Sequence, residues 1–272
     1  MDASGQALVA VRRDDRFSPN SVENDRAILQ AVIRELGMPS RMVDEACFDP
    51  LMVDGNRPLV LSMARLPQAL SRLRALEEQG MVILNRPSSI LSRSAFDRLM
   101  RRHHVAMPPE KGMHGYWLKR GDAAAEQPED VCFCRDEEEL ATAKQAFRRR
   151  GLTDWVVSAH VEGDLVKWYA VGDRFFRYFY PSDDGISKFG DEVRNGAARH
   201  YPFDSEGLHR EVARLARLVG IDVYGGDAII DATGKWYIID FNDWPSFARC
   251  RQEAASAIAS LALEKYQAQC RR

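Results

Sequence analysis

Tyr224-Gly225-Gly226-Asp227-Ala228-Ile229-Ile230-Asp231-Ala232-Thr233-Gly234-Lys235-Trp236-Tyr237-Ile238-Ile239-Asp240-Phe241-Asn242-Asp243-Trp244-Pro245 decides the reading of this chain. Two apolar runs flank Ala-Thr-Gly-Lys, a connection of hairpin length that contains glycine. If Ala232 and Lys235 close the turn, Asp227 falls directly opposite Asp240. Side chains repeat on one strand face every two residues, so Asn242 follows Asp240 on that face. A turn with one residue more or fewer would break the match. Like charges placed opposite one another repel. A hard divalent cation would remove that cost, and Mg²⁺ accepts a few protein oxygens while keeping positions for water and phosphate. The plainer alternative is a solvated hairpin end carrying ordinary surface acids.

Asp-x₁₂-Asp-x-Asn-x-x-Pro closing a glycine-punctuated hairpin resembles the carboxy-terminal signature of the ATP-grasp superfamily. That superfamily includes D-alanine–D-alanine ligase, glutathione synthetase and the inositol-trisphosphate 5/6-kinases. The resemblance implies an ATP-grasp fold, in which an open α/β module precedes two lobes that sandwich ATP. It implies Asp227, Asp240 and Asn242 as Mg²⁺ ligands under the ATP phosphates. Asp240 stands where most ligases have Glu and is similar to the inositol-kinase form, and Ser246 replaces a frequent Gly.

The chain has 272 residues, 45% of them apolar, with a formal net charge of −2. This length supports one to three modules. The charge balance gives no footprint for nucleic acid. Cys47, Cys132, Cys134, Cys250 and Cys270 are odd in number and scattered, which argues against a zinc site or a disulfide framework. No apolar run reaches membrane-spanning length and no secretory leader is evident, so a cytoplasmic protein without a membrane partner is expected.

Leu8–Val11, Arg41–Val43, Leu59–Ser62 and Met81–Leu84 read as strands, alternating with helices that start near Ser21 and Pro67. That alternation predicts a parallel sheet over residues 1–90. Ligands of such sheets lie beyond the carboxyl ends of strands. Arg12, Arg13, Ser18, Asn20, Asn85 and Arg86 are therefore candidates for substrate contact, against the plainer reading of polar loops. Ser92–His104 predicts a basic helix, read first as a solvated face. Met107-Pro108-Pro109 opens a linker. The modules are set at 1–90, 91–180 and 181–272.

Further roles follow from the resemblance. Lys119, ending the strand Tyr116–Lys119, is implied as the lysine on the α/β-phosphates, with loop 120–130 as the flap above them. The strand Trp155–Val161 is implied as the hinge that meets adenine, through Ser158, His160 and Val161. Asp164 or Glu162 would reach the ribose. Arg194-Asn195-Gly196 resembles the loop that stabilises the γ-phosphate and acyl-phosphate oxygens. Arg249 and Arg251, beyond Pro245, border the second substrate.

From the residues themselves, Lys167 is a charge inside the apolar run Val166–Val171, a costly place unless it is paired or functional. The segment is similar to the Lys-x-x-x-Val-Gly of the inositol kinases, and the phosphoryl transfer that the resemblance implies needs cations where negative charge spreads, which makes Lys167 and Arg177 candidates, against sheet-edge charges as the plainer reading. The long polar segment from Pro181 to Phe203 holds Lys188, Arg194, Asn195, Arg199 and His200. The expected activity is ligation of a carboxylate to an amine or similar nucleophile through an acyl-phosphate, using ATP and Mg²⁺. A kinase of an alcohol such as an inositol phosphate, and a non-catalytic nucleotide-binding protein, are the alternatives. The expected partner is a small anionic molecule, with a homodimer left open.

Overall fold

The first sheet is built from β1 (Leu8–Arg12), β2 (Ser40–Asp44), β3 (Leu59–Ser62) and β4 (Ile83–Leu84), in the order β2-β1-β3-β4 and parallel throughout. The structure is a computed structural model that describes residues 8–53, 59–89, 92–122, 127–184 and 192–271. Between the strands run α1 (Val22–Leu36) and α2 (Pro67–Glu78). Leu8–Val11 and Leu59–Leu61 are fully buried, as central parallel strands covered on both faces must be. Gly37 ends α1 in the left-handed region at φ 60°, its N–H donating to Ile33 O at 3.1 Å. Pro67 opens α2, where a missing N–H costs nothing.

After α3 (Arg93–Arg102) comes a second sheet. It is antiparallel, in the order β6-β5-β7, from β5 (Tyr116–Arg120), β6 (Val131–Cys134) and β7 (Trp155–Ala159). Helix α4 (Glu137–Arg149) packs on it through Leu140 and Phe147 against Tyr116, Leu118 and Cys134. Asp136 caps α4 by accepting the Glu139 N–H at 2.8 Å.

The third sheet joins β8 (Asp164–Val171), β9 (Phe175–Phe179), β10 (Val223–Ile230) and β11 (Trp236–Asp243), antiparallel in the order β11-β10-β8-β9. The expected module boundary at 180/181 falls inside this sheet: β8 and β9 pair with the final hairpin, not with β5–β7. The short α5 (Glu192–Asn195) and the longer α6 (Ser205–Val219) lie in sequence between β9 and β10, and α7 (Arg251–Cys270) closes the chain. One sheet face carries Trp168, Ala170, Tyr224, Ala228 and Ile238 into the α6 core. On the other face Tyr169, Val171 and Val223 pack with α7 and α1, so α7 ties the third sheet to the first module.

The final hairpin departs from expectation in two places that cancel. Its turn closes at Asp231 and Lys235, with Asp231 N–H donating to Lys235 O at 2.9 Å and Gly234 at φ 83°. That loop is one residue longer than a turn closed by Ala232 and would set Asp227 opposite Ile239. A β-bulge between Asp227 and Ala228 lets β11 accommodate Ile239 as the extra residue, and the register resumes as Asp227 opposite Asp240.

Candidate functional site

Three neighbouring strands set Lys167, Asp227 and Asp240 in one row across the sheet. Lys167 Nζ donates to Asp227 Oδ1 at 2.8 Å, and Asn242 Nδ2 donates to Asp240 Oδ2 at 3.0 Å. From the facing sheet, Lys119 Nζ reaches the carbonyl of the bulged Ile239 at 3.3 Å. The expected metal ligands and both expected phosphate lysines thus gather at one place. The bulge restores the carboxylate register and lies where Lys119 arrives.

The two carboxylates differ in protonation tendency. Burial pushes Asp227 above the usual carboxylate range, Lys167 opposes this, and the charge of Asp240 adds to it. Asp240 is half-buried and desolvation works against its charge too, but Lys119 and Arg93, with the Asn242 hydrogen bond, hold it below that range. Burial would lower Lys167, yet Asp227 outweighs it and raises the ammonium. Arg93 is the cation that sequence reading placed on a solvated helix face and gave no site role. Its signal was present, directly behind the Ser92 cap of a basic helix, but arginines on such helices mostly face water.

Two carboxylates and an amide oxygen are hard donors. Among the described residues no group of three or more His, Cys, Asp or Glu side chains is arranged to hold a metal alone. That donor set fits Mg²⁺, which binds through one or two carboxylates and completes its shell with water and substrate phosphate.

Beside this row lies a cleft with an empty volume of about 560 Å³, part of it open to solvent. Lys119, Ser158, His160 and Val161 line one side, and Leu165, Ile229 and Ile239 form an apolar wall. The expected hinge residues and the phosphate lysine therefore share one cavity. The N–H groups of Ala159 and His160 donate to Pro109 O (2.7 Å) and Gly115 O (2.8 Å). Trp117 Nε1–H donates to His160 Nδ1 at 3.2 Å. Burial keeps the His160 imidazole below its ordinary pKa, hence neutral near pH 7.

Other expected roles do not fit their surroundings. Asp164 is 3% exposed, and its oxygens accept the backbone N–H groups of Arg199 (2.7 Å) and Tyr201 (2.8 Å). It anchors that loop and has no oxygen left facing a ribose; Glu162 pairs with His114 at 3.2 Å. Arg194 lies over the Phe133 ring at 3.4 Å and near Trp117 at 5.7 Å, at the aromatic rim of the cleft and not against the carboxylates. Arg177, opposite Tyr169 on β9, pairs with Glu253 of α7 at 3.0 Å.

The strand-end candidates of the first module are also engaged. Arg12 pairs with Asp15 and Asp44, Arg13 with Asp25, Ser18 with Asp25, and Arg86 with Glu77. Asn85 binds the β10 backbone, and Asn20 is exposed. Arg251 donates to Asn24 at 2.7 Å, and Arg249 lies over Phe179. Lys188 and parts of both expected loops, 123–126 and 185–191, lie outside the described residues.

No family model and no curated protein sequence matches this chain. Solved structures do. The ATP-grasp ligase PsnB complexed with minimal precursor superposes with a TM-score of 0.62 at 14% identity, covering 96% of this chain and 99% of that one. A RimK-domain ATP-grasp protein from Sphaerobacter thermophilus gives 0.63 at 16%, covering 93% and 98%. D-alanine–D-alanine ligase from Bacillus anthracis, complexed with ATP, gives 0.63 at 9%, covering 97% and 98%. The chain has the ATP-grasp fold over nearly its whole length. No helix among the described residues is long and apolar enough to cross a membrane.

Proposed function

We propose that this chain, which has the ATP-grasp fold, is a Mg²⁺·ATP-dependent ligase that joins a carboxylate to an amine or similar nucleophile. The observation that carries the reading is the row Lys167–Asp227–Asp240, with Asn242 beside it and Lys119 arriving from the facing sheet. In this proposal the base occupies the cleft at Ser158, His160 and Val161. Asp227, Asp240 and Asn242 hold Mg²⁺, which would neutralise charge on the phosphates and align them. Lys119 binds the α/β-phosphates. Lys167 faces the charge that develops on the transferring phosphoryl group, the interaction that counts most for rate. The substrate carboxylate oxygen attacks the γ-phosphorus and ADP leaves. The nucleophile then attacks the acyl carbon, phosphate leaves, and the nucleophile loses a proton. Arg194 and Arg177, engaged elsewhere, have no part in these steps. The lobes are proposed to divide near residues 160–163, between β7 and β8.

Two neighbours by fold, PsnB and the Bacillus anthracis enzyme, are named as ligases, which supports ligation over simple phosphorylation. The test is ADP release across a panel of carboxylates and amines, with hydroxylamine present. An acyl hydroxamate formed with ADP supports the reading. A stable phosphorylated alcohol in its place supports the kinase. Mg·ATP that fails to raise the melting temperature leaves only a non-nucleotide role.

A further inference from the structure

The hairpin that bears Asp227, Asp240 and Asn242 is held at its open end by another module. Asn85, 2% exposed at the end of β4, donates from Nδ2 to Val223 O at 2.7 Å. Its Oδ1 accepts the N–H groups of Asp222 (3.0 Å) and Val223 (2.8 Å). These bonds fix the first residue of β10. At the last residue of β11, Asp243 is 4% exposed and ion-paired with Arg65, which follows β3. Arg13, which follows β1, donates to Trp244 O and pairs with Asp25 at 3.1 Å.

Arg65 is itself set in place. Glu45, 1% exposed, accepts the N–H groups of Arg65 and Leu66 on one oxygen (2.6 Å each) and of Asp14 on the other (2.6 Å). The ends of β1 and β3 are thereby drawn together beneath Asp243. Asn85 and Glu45 are spent on backbone groups and Arg65 on Asp243, while Asp243 Oδ2 is buried without a hydrogen-bond partner among the described residues.

We infer that the strand ends of the first module form a clamp whose Arg65–Asp243 pair is a positioning device for the Mg²⁺ site. Asp243 adjoins Asn242, and Asn242 is hydrogen-bonded to Asp240. A one-residue slip of β11 would turn Asp240 and Asn242 to the α6 face, because the strand repeat is two. Continued past the bulge at Asp227/Ala228, the register of the turn side, Ala228 opposite Ile238, would set Ile239 opposite Asp227. Arg65 and Arg13 pin the strand in the register that presents oxygen donors. The first module is thus part of the metal site without contributing a ligand to it.

This inference rests on Asp227, Asp240 and Asn242 being the ion's ligands, and the experiment separates the two claims. Full-length wild type, Asp240→Asn, Arg65→Gln, Arg65→Lys, Asp243→Asn and the Arg65→Gln/Asp243→Asn double variant are titrated with Mn²⁺, followed by its EPR signal, with ADP present. ADP affinity without metal is measured in parallel. Removing an outer support of a metal site weakens metal binding about 10–100-fold. Arg65→Gln and Asp243→Asn are each expected to weaken Mn²⁺ at least about tenfold. Their metal-free ADP affinity stays within twofold of wild type, Arg65→Lys recovers part of the loss, and the double variant is no worse than either single. A merely structural role would lower metal-free ADP binding equally.

Arg65→Gln and Asp243→Asn with wild-type Mn²⁺ affinity, while Asp240→Asn weakens it, would overturn the clamp alone. Wild-type affinity in Asp240→Asn would remove the ligand assignment and the clamp with it. If Arg65→Gln does not fold, Asp243→Asn and Arg65→Lys carry the same comparison.

Discussion

Replacing Lys167 with Met removes one charge from the row and keeps most of the side chain's volume. Lys167 Nζ and Asp227 Oδ1 are 2.8 Å apart, with side-chain exposures of 31% and 21%. At an effective dielectric of 20, that separation is worth about 6 kcal/mol of gross attraction, most of it offset by desolvation. Losing one partner of an exposed pair costs about 0–1 kcal/mol, and losing one partner of a fully buried pair about 3–5. This pair lies between those limits, so about 2 kcal/mol is expected. That corresponds to a drop in melting temperature of about 4–8 °C for a chain of this size.

The variant should also change its response to metal. With Lys167 gone, Asp227 faces the like charge of Asp240 with Lys119 as the weaker opposing cation, and Mg²⁺ becomes the replacement cation. At tenfold its Kd, the ion restores about 1.4 kcal/mol. The pH dependence has a definite sign. Lys167 is raised in the folded state, so its stabilisation is present below about pH 10.4 and is lost as pH rises through the folded value. Lys167→Met lacks that alkaline loss. Asp227, raised in the folded state, costs stability as pH climbs from about 3.9 through its folded value, and the variant extends that window upward. Thermal melts with and without MgCl₂ read all of this. A variant as stable as wild type, or one destabilised but indifferent to Mg²⁺, would refute the reasoning.

Gly226→Ala would put a methyl 2.6 Å from the Trp168 ring and closer still to Asp240 O. A loss of about 1–3 kcal/mol or more in urea unfolding is expected, together with weaker metal-dependent nucleotide binding. Asp164→Ala strands two backbone donors, so it should cost about 2–4 kcal/mol. Amide exchange at Arg199 and Tyr201 should accelerate, and protection unchanged at both would contradict the anchoring role. His160 is depressed by burial, so its neutral form is built into the fold. Stability should be intact above about pH 6.5 and fall as pH drops through the folded value. His160→Gln should flatten that segment of a stability–pH curve, and an unchanged slope would assign it to other groups.

Much of this architecture is legible in the residues because its signals are local. Apolar runs separated by helices give a parallel sheet, and Gly37 and Pro67 mark helix ends by backbone geometry alone. The Asp227–Asp240 pairing was reached through a turn that is in fact one residue longer, with a bulge at Ile239 restoring the register. Periodicity cannot show a bulge inside an all-apolar run. The partnership of β8 and β9 with β10 is a long-range choice, and nothing between residues 164 and 179 states it. Roles assigned to Asp164 and Arg194 depended on where a loop folds back, which backbone amides and aromatic rings decided, and that of Arg177 on α7, whose Glu253 it pairs with. The clamp at Asn85, Arg65 and Asp243 was invisible for the same reason, since its members are distant in sequence.

The most direct measurement of the central claim is a crystal of the full chain grown with Mn²⁺ and a non-hydrolysable ATP analogue, examined by anomalous scattering. The account predicts a manganese peak bonded to oxygens of Asp227, Asp240 and Asn242 and to the analogue's phosphates, with the base in the cleft at His160 and Val161. A bound analogue whose manganese lies elsewhere, or a manganese held by those residues with no nucleotide beside it, would contradict it.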